Sequence, residues 1–204
     1  MYAQDTLMKK MFDLISQIYD DKQILSEICL LFSVELSCSV YVSDAVGSTL
    51  FEIGEDRAHE LFANLTCGMQ NLGSVIIKRD IEPFSIDDEQ AFFVLAAVLS
   101  LLLRAIDNHH KENTRRVKSA LGSLSYSELT AALHVFDVLG YESGRFVSSD
   151  VSKEKQISKS AVVNCLKKLE SAGLIEVRSL GVKGTHVRVL NDALPAWLAK
   201  LKRG

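Results

Sequence analysis

Ser160, Asn164 and Lys167 lie at i, i+4 and i+7, which puts them on one face of a helix, and Lys159 shares the first turn with Ser160. Ammonium, hydroxyl and carboxamide groups on one helical face suit the edges and backbone of a nucleic acid. A lysine meets a phosphate as a point charge, and an asparagine can pair with the donor–acceptor edge of adenine. For Asn164 a phosphate contact is an equal alternative. A second set of donors follows within about twenty residues: Arg178, Lys183, Thr185, His186 and Arg188. Lys167, Arg178, Lys183 and Arg188 suit sequence-independent phosphate contacts. Thr185 and His186 suit hydrogen bonds, with packing or solvent as the alternative.

These residues need a helix and a hairpin to present them. Ser158 can cap a helix N-terminus, and Val162, Val163, Leu166 and Leu169 recur at helical spacing as a buried stripe. Gly173 marks the C-terminal end. Ile175 and Val177, then Val187 and Val189, alternate with Glu176, Arg178, His186 and Arg188 as two strands do. Leu180–Gly184 forms the tip between them. With a short first helix over Ser149–Gln156, this is the layout of a winged helix-turn-helix: one helix for the major groove and a wing for the backbone beside it.

Charge is distributed to match. The 204 residues carry a net charge of −3, but from Ser119 onward 12 Lys+Arg face 8 Asp+Glu, and the remainder holds 11 against 18. Positive potential is concentrated where the helix and hairpin lie, and the local field is what meets phosphates. Hydrophobic content of 48% and charged content of 24% fit a soluble globular protein. Four cysteines, Cys29, Cys38, Cys67 and Cys165, lack C-x-x-C spacing and read as small apolar residues in a reducing compartment. The first residues lack a signal-peptide pattern. The apolar run at Ala91–Leu103 is shorter than the roughly 20 residues a bilayer span needs. The expected location is cytoplasmic, with no membrane partner.

Upstream, Leu7–Tyr19 and Gln23–Leu36 read as amphipathic helices, and Ser39–Ser43 with Ser48–Ile53 as a strand pair. Gly73–Arg79 is a further strand. Ser85 and Asp88 resemble a capping box with Asp in place of Glu or Gln. From Ile86 a helical pattern runs to about Leu121, apolar at first and charged from Asp107. It reads as a stiff connector whose first half is also a candidate dimer interface. Ser125 and Glu128 form a second capping box, for a helix to Leu139, and Ala193–Leu201 is a last helix. The expected class is α+β in two domains: residues 1–84, a connecting helix over 85–121, and a DNA-binding domain over 122–204.

Enzymatic chemistry is not expected. His109-His110-Lys111-Glu112 is the densest polar cluster, but it lacks H-E-x-x-H spacing and lies on the connector helix. Gly181–Thr185 reads G-V-K-G-T, not a phosphate-binding loop. Neither a metal site nor a nucleophile–base pair is visible.

Over Ser123–Asn191 the residues S-L-S-Y-S-E-L and V-V-N-C-L-K-K-L-E-S-A-G-L-I-E-V-R-S-L-G-V-K-G-T-H-V-R-V-L-N closely resemble the DNA-binding domain of the CodY family, bacterial global repressors of nutrient-limitation genes. N-L-G-S-V-I-I-K-R, P-F-S-I-D-D-E-Q and S-V-Y-V-S-D-A-V-G-S-T-L resemble parts of that family's GAF-type sensor. The resemblance implies a homodimer that binds A/T-rich palindromic double-stranded DNA. It also implies a sensor for branched-chain amino acids, chiefly isoleucine, and a response to GTP at a site the sequence does not place. Arg57, in Glu55-Asp56-Arg57, matches the arginine that clasps the effector carboxylate; a surface arginine is the alternative. Two departures stand out. Ala58 occupies a pocket-methionine position, and only Ala58–Asn71 connects Arg57 to the next strand, so the sensor is shortened. At the turn of the helix-turn-helix, Lys155 and Gln156 replace an apolar residue and Gly. A shortened chain also suits a different role: an interaction protein that forms a heterodimer with a full-length family member and modulates it.

Overall fold

The computed structural model describes residues 9–11, 13, 21–80, 82–147, 151 and 157–203. The chain is α+β and divides into two compact units, Met1–Asp107 and Asn108–Gly204. Each has its own apolar core.

In the first unit, helix α1 (Asp21–Glu35) buries Leu25, Ile28, Cys29 and Phe32 at helical spacing. Strands β1 (Ser39–Asp44), β2 (Thr49–Ile53), β3 (His59–Cys67) and β4 (Gln70–Arg79) form an antiparallel sheet in the order β2-β1-β4-β3. The β1–β2 turn is closed by the Asp44 carboxylate, which accepts from the backbone N–H groups of Val46 (3.0 Å) and Ser48 (2.8 Å). Alternation decides the inner face. Val40 pairs with Ile77 and Val42 with Val75, all essentially inaccessible, and Leu65 extends the layer. The opposite face carries the row Tyr41, Ile76 and Phe62, with Phe62 53% exposed.

Helix α2 (Ile86–Gly122) starts at the expected box: Ser85 N–H donates to the Asp88 carboxylate (2.9 Å), and Asp88 N–H donates to the Ser85 hydroxyl (3.2 Å). Phe92, Leu95, Leu99 and Leu103 complete the first core. Arg79 fixes the entry to this helix. Its guanidinium donates to the carbonyls of Glu82, Leu36 and Pro83 and to Asp88, and it lies 4.5 Å from the Phe84 ring. By length and composition α2 could cross a bilayer. The run Ala91–Leu103 taken alone is shorter than a span, and Phe92, Leu95, Leu99 and Leu103 within it belong to the core of the first unit.

The second unit contains the end of α2, helix α3 (Tyr126–Val138), strand β5 (Gly144–Phe146), helix α4 (Lys159–Ser171), strands β6 (Ile175–Ser179) and β7 (Thr185–Val189), and helix α5 (Ala193–Arg203). The sheet order is β5-β7-β6. Phe136, Leu169, Leu174, Val187 and Leu198 lie in its core. Trp197 packs at the edge of this core, with the ammonium groups of Lys118 and Lys200 4.8 and 5.4 Å from its ring.

Three expectations change. Ala58–Asn71 is not a bare connection: it holds β3, a nine-residue strand in register with β4. Its signal is the alternation of Leu61, Ala63 and Leu65, diluted by polar residues because the other face is open. Gly144–Phe146, expected within or beside a turn, is a third strand of the second sheet. Val163, expected in the buried stripe, is 45% exposed; the stripe is Ala161, Val162, Cys165, Leu166 and Leu169. Most of Leu7–Tyr19 and all of Ser149–Gln156 except Val151, including Lys155 and Gln156, fall outside the described residues.

Candidate nucleic-acid interface

Helix α4 begins where Ser158 turns extended (φ −68°, ψ 142°) and its hydroxyl accepts from Ala161 N–H at 3.1 Å. The Ser160 hydroxyl lies 3.0 Å from that of Ser158, so the first turn carries two coupled hydroxyls. Lys159, Ser160, Asn164 and Lys167 are all exposed, and Val162, Cys165, Leu166 and Leu169 are buried beneath them. Burial pushes the Cys165 thiol up to about 12, so it is an inert core group. The helix ends at Gly173, whose φ of 68° suits a residue without Cβ.

One lysine of α4 has a different task. Lys168 donates to the Glu128 carboxylate (2.7 Å) and to the Ser123 carbonyl (3.2 Å). The same carboxylate accepts from Ser125 N–H at 2.8 Å, and the Ser125 hydroxyl accepts from Glu128 N–H at 3.3 Å. The capping box of α3 is thus tied to the recognition-type helix. The Lys168 hydrogen bond, then the backbone donor at Ser125, hold the Glu128 carboxyl below its ordinary range. Sequence reasoning saw the box and the lysine separately; nothing in their spacing joined them.

The hairpin divides its donors between two faces. Direct pairs across antiparallel strands share a face. Arg145, His186 and Arg178 therefore form one row, and Arg188 and Glu176 the next, on the side away from the core. Arg178 donates through Nε and a terminal nitrogen to one oxygen of Glu176 (2.9 and 2.7 Å), and Arg188 pairs with the other oxygen at 2.7 Å. Hydrogen bonding from Arg178 leads in holding the Glu176 carboxyl low, and the charges of both arginines add to it, against the opposing effect of burial. Thr185 pairs with Phe146 and Ser179 on the other face. Lys183 lies exposed in a short 3₁₀ turn, Gly181–Lys183, at the tip. Gly184 closes that turn at φ +98°, where a Cβ would stand 2.4 Å from the Phe146 carbonyl oxygen.

Two clefts accompany these elements. One, about 110 Å³, is lined by Glu176, Arg178, His186 and Arg188. The other, about 540 Å³, is lined by Arg115, Arg116 and the serines 119, 123 and 171. Arg115 and Arg116 both pair with Glu112, at 2.9 and 3.2 Å. Arg57 lines neither. It is half-buried between β2 and β3, where Asp56 pairs with Lys78 (2.5 Å) and Ala58 N–H donates to Asp80 (2.9 Å). Among the described residues no cluster of His, Cys, Asp or Glu could hold a metal ion.

A family model described as the CodY helix-turn-helix domain matches residues 142–202, from just before β5 through most of α5. Beyond it, 196 residues align at 35% identity with the global transcriptional regulator CodY of Clostridium botulinum (strain Eklund 17B / Type B), covering 91% of this chain and 75% of that protein. The chain belongs to the CodY family. The CodY regulator of Thermoanaerobacter sp. (strain X514) is 42% identical over 140 residues, which are 67% of this chain and 56% of that protein. That of Clostridium tetani (strain Massachusetts / E88) is 38% identical over 164 residues, or 76% and 64%. The chain thus spans between about half and two thirds of the length of the last two CodY relatives.

Proposed function

We propose that this CodY-family chain is a DNA-binding transcriptional regulator, acting as a repressor of nutrient-responsive genes in the cytoplasm. A homodimer binds A/T-rich palindromic duplexes. The observation that supports this most is α4: its first turn and outer face present Lys159, Ser160, Asn164 and Lys167 to solvent, and its inner face is locked in the core. The N-terminal residues of such a helix reach base edges, and a palindrome mirrors protein two-fold symmetry. Lys183 at the tip, with Arg178 and Arg188, meets phosphates. Thr185, half-buried on the other face of the wing, adds a hydrogen bond near the tip.

Isoleucine sensing is assigned to the first unit with Arg57 as the carboxylate partner, and the GTP response of the family is carried over without a residue. The test is fluorescence anisotropy of the purified protein on an A/T-rich palindromic duplex across salt concentrations, with and without isoleucine. Specific binding strengthened by isoleucine supports both assignments. Specific binding indifferent to isoleucine removes the effector assignment at Arg57. Absence of specific binding overturns the regulator reading and favours an interaction protein that pairs with a full-length relative, which co-purification then detects.

A further inference from the structure

We propose that the outer face of the β5–β7–β6 sheet is a phosphate-oxyanion site, and that Glu176 occupies it in the free protein as an internal competitor. The proposal deepens, and in its DNA arm rests on, the regulator reading above. Two guanidinium groups, Arg178 and Arg188, converge with His186 on Glu176, the only carboxylate lining this cleft among the described residues, and Arg145 stands beside His186 in the same sheet row. An arginine fork matches carboxylate and phosphate oxygens equally well. Each oxygen of Glu176 takes one arginine, the pattern that two oxygens of a phosphate would take.

The carboxylate leaves most of the donor capacity unused. Arg178 commits Nε and one terminal nitrogen, and Arg188 commits one terminal nitrogen, out of five N–H donors on each. Their side chains are 70% and 59% exposed, whereas that of Glu176 is 29% exposed. The cleft they line has about 110 Å³, room for a group of a few heavy atoms. Glu176 belongs to β6 by its backbone, so only its side chain has to swing away. A free phosphate or pyrophosphate brings more oxygens and more charge than the carboxylate it replaces, and a backbone phosphodiester brings the same charge on two free oxygens together with the charges of its neighbours along the strand. The excess of positive charge on the face favours that exchange.

The source of the phosphate is either a nucleic-acid backbone or a free phosphate ligand, and one experiment separates them. The full chain, as wild type, E176Q and an R178Q/R188Q double variant, is titrated with inorganic pyrophosphate while arginine Nε–H and His186 ring signals are followed by NMR. The same three proteins are then titrated with a duplex across salt concentrations. Saturable shifts at Arg178, Arg188 and His186 in wild type, at several-fold lower pyrophosphate in E176Q and lost in the double variant, are expected. On duplex, E176Q is expected to bind several-fold tighter, with a salt slope steeper by about one.

Wild-type signals that do not move with pyrophosphate overturn the site, whatever the duplex does. Equal pyrophosphate affinity in wild type and E176Q overturns the competitor role. Pyrophosphate binding with duplex affinity unchanged by E176Q overturns the DNA arm and leaves a free phosphate ligand. Pyrophosphate binding by a protein that binds no duplex at all sinks the regulator reading and leaves the site standing.

Discussion

At the scale of single residues, the lysines of the second unit divide into those that brace and those that reach. Lys168 is bound to Glu128 and to the Ser123 carbonyl, whereas Lys159, Lys167 and Lys183 are exposed with no ion-pair partner among the described residues. Two predictions belong here. Lys159→Ala weakens binding to a palindromic site more than to random duplex if, as proposed, it removes a donor from a base-reading turn. Lys183→Ala weakens both by a similar factor and lowers the salt slope by about one. Anisotropy titrations on the two duplexes separate these outcomes, and equal losses for Lys159→Ala on both would remove it from the base-reading turn. Glu128 gives a second test, through acid. Its folded-state pKa is held below the ordinary value of 4.5, so the folded state binds fewer protons than the unfolded chain. The stabilisation is therefore complete above that ordinary value and is lost as pH falls through the lower, folded one. Denaturant midpoints of Glu128→Gln should lie below wild type at neutral pH and converge with it in acid. Midpoints that differ equally at both pH values would show that the Lys168 contact carries none of the effect.

At the scale of elements, the helices and the wing depend on a few end positions. Removing the cap hydroxyl in Ser158→Ala leaves the Ala161 N–H without its partner and should cost roughly 0.5–2 kcal/mol of unfolding free energy. Gly184→Ala forces a Cβ against the Phe146 carbonyl at φ +98°, and should cost on the order of 1–3 kcal/mol while disordering the tip that carries Lys183. Urea unfolding measures both, and wild-type stability in Gly184→Ala would mean that the backbone at Phe146 yields to the added Cβ. The same positions explain what the sequence made legible. Ser158, Gly173 and the two capping boxes mark boundaries by local chemistry, and the bounds of α4 and the start of α2 follow from them. β3 was missed because a strand with one open face mixes Glu60, Phe62, Asn64 and Thr66 among its inward residues. β5 was missed because three residues carry no period. The Glu176 clasp and the Lys168 brace join residues through register and tertiary packing, which single-chain spacing does not encode.

At the scale of the whole molecule, two cores and one long helix set what assembly requires. A single reading helix contacts one half-site, so the palindrome in the proposed function demands a second copy. The surface proposed for it is the outer stripe of helix α2. Ile86, Phe93 and Leu101 are 74%, 64% and 68% exposed, and Ala97 and Ala105 lie between and beyond the last two at steps of four. No Asp, Glu, Lys or Arg interrupts Ala91–Leu103, and the stripe covers about 30 Å of helix. Its core-facing residues are different ones, Phe92, Leu95, Leu99 and Leu103, so an exposed position can change without disturbing the first unit. Leu101→Asp should leave the thermal midpoint close to wild type and convert a dimer to monomer in sedimentation velocity. On a palindromic duplex it should lose the two-site advantage and bind like a single half-site, with non-specific binding per monomer retained. A Leu101→Asp protein that still sediments as a dimer would move the interface off this stripe, and a wild-type monomer would remove the second copy from the mechanism.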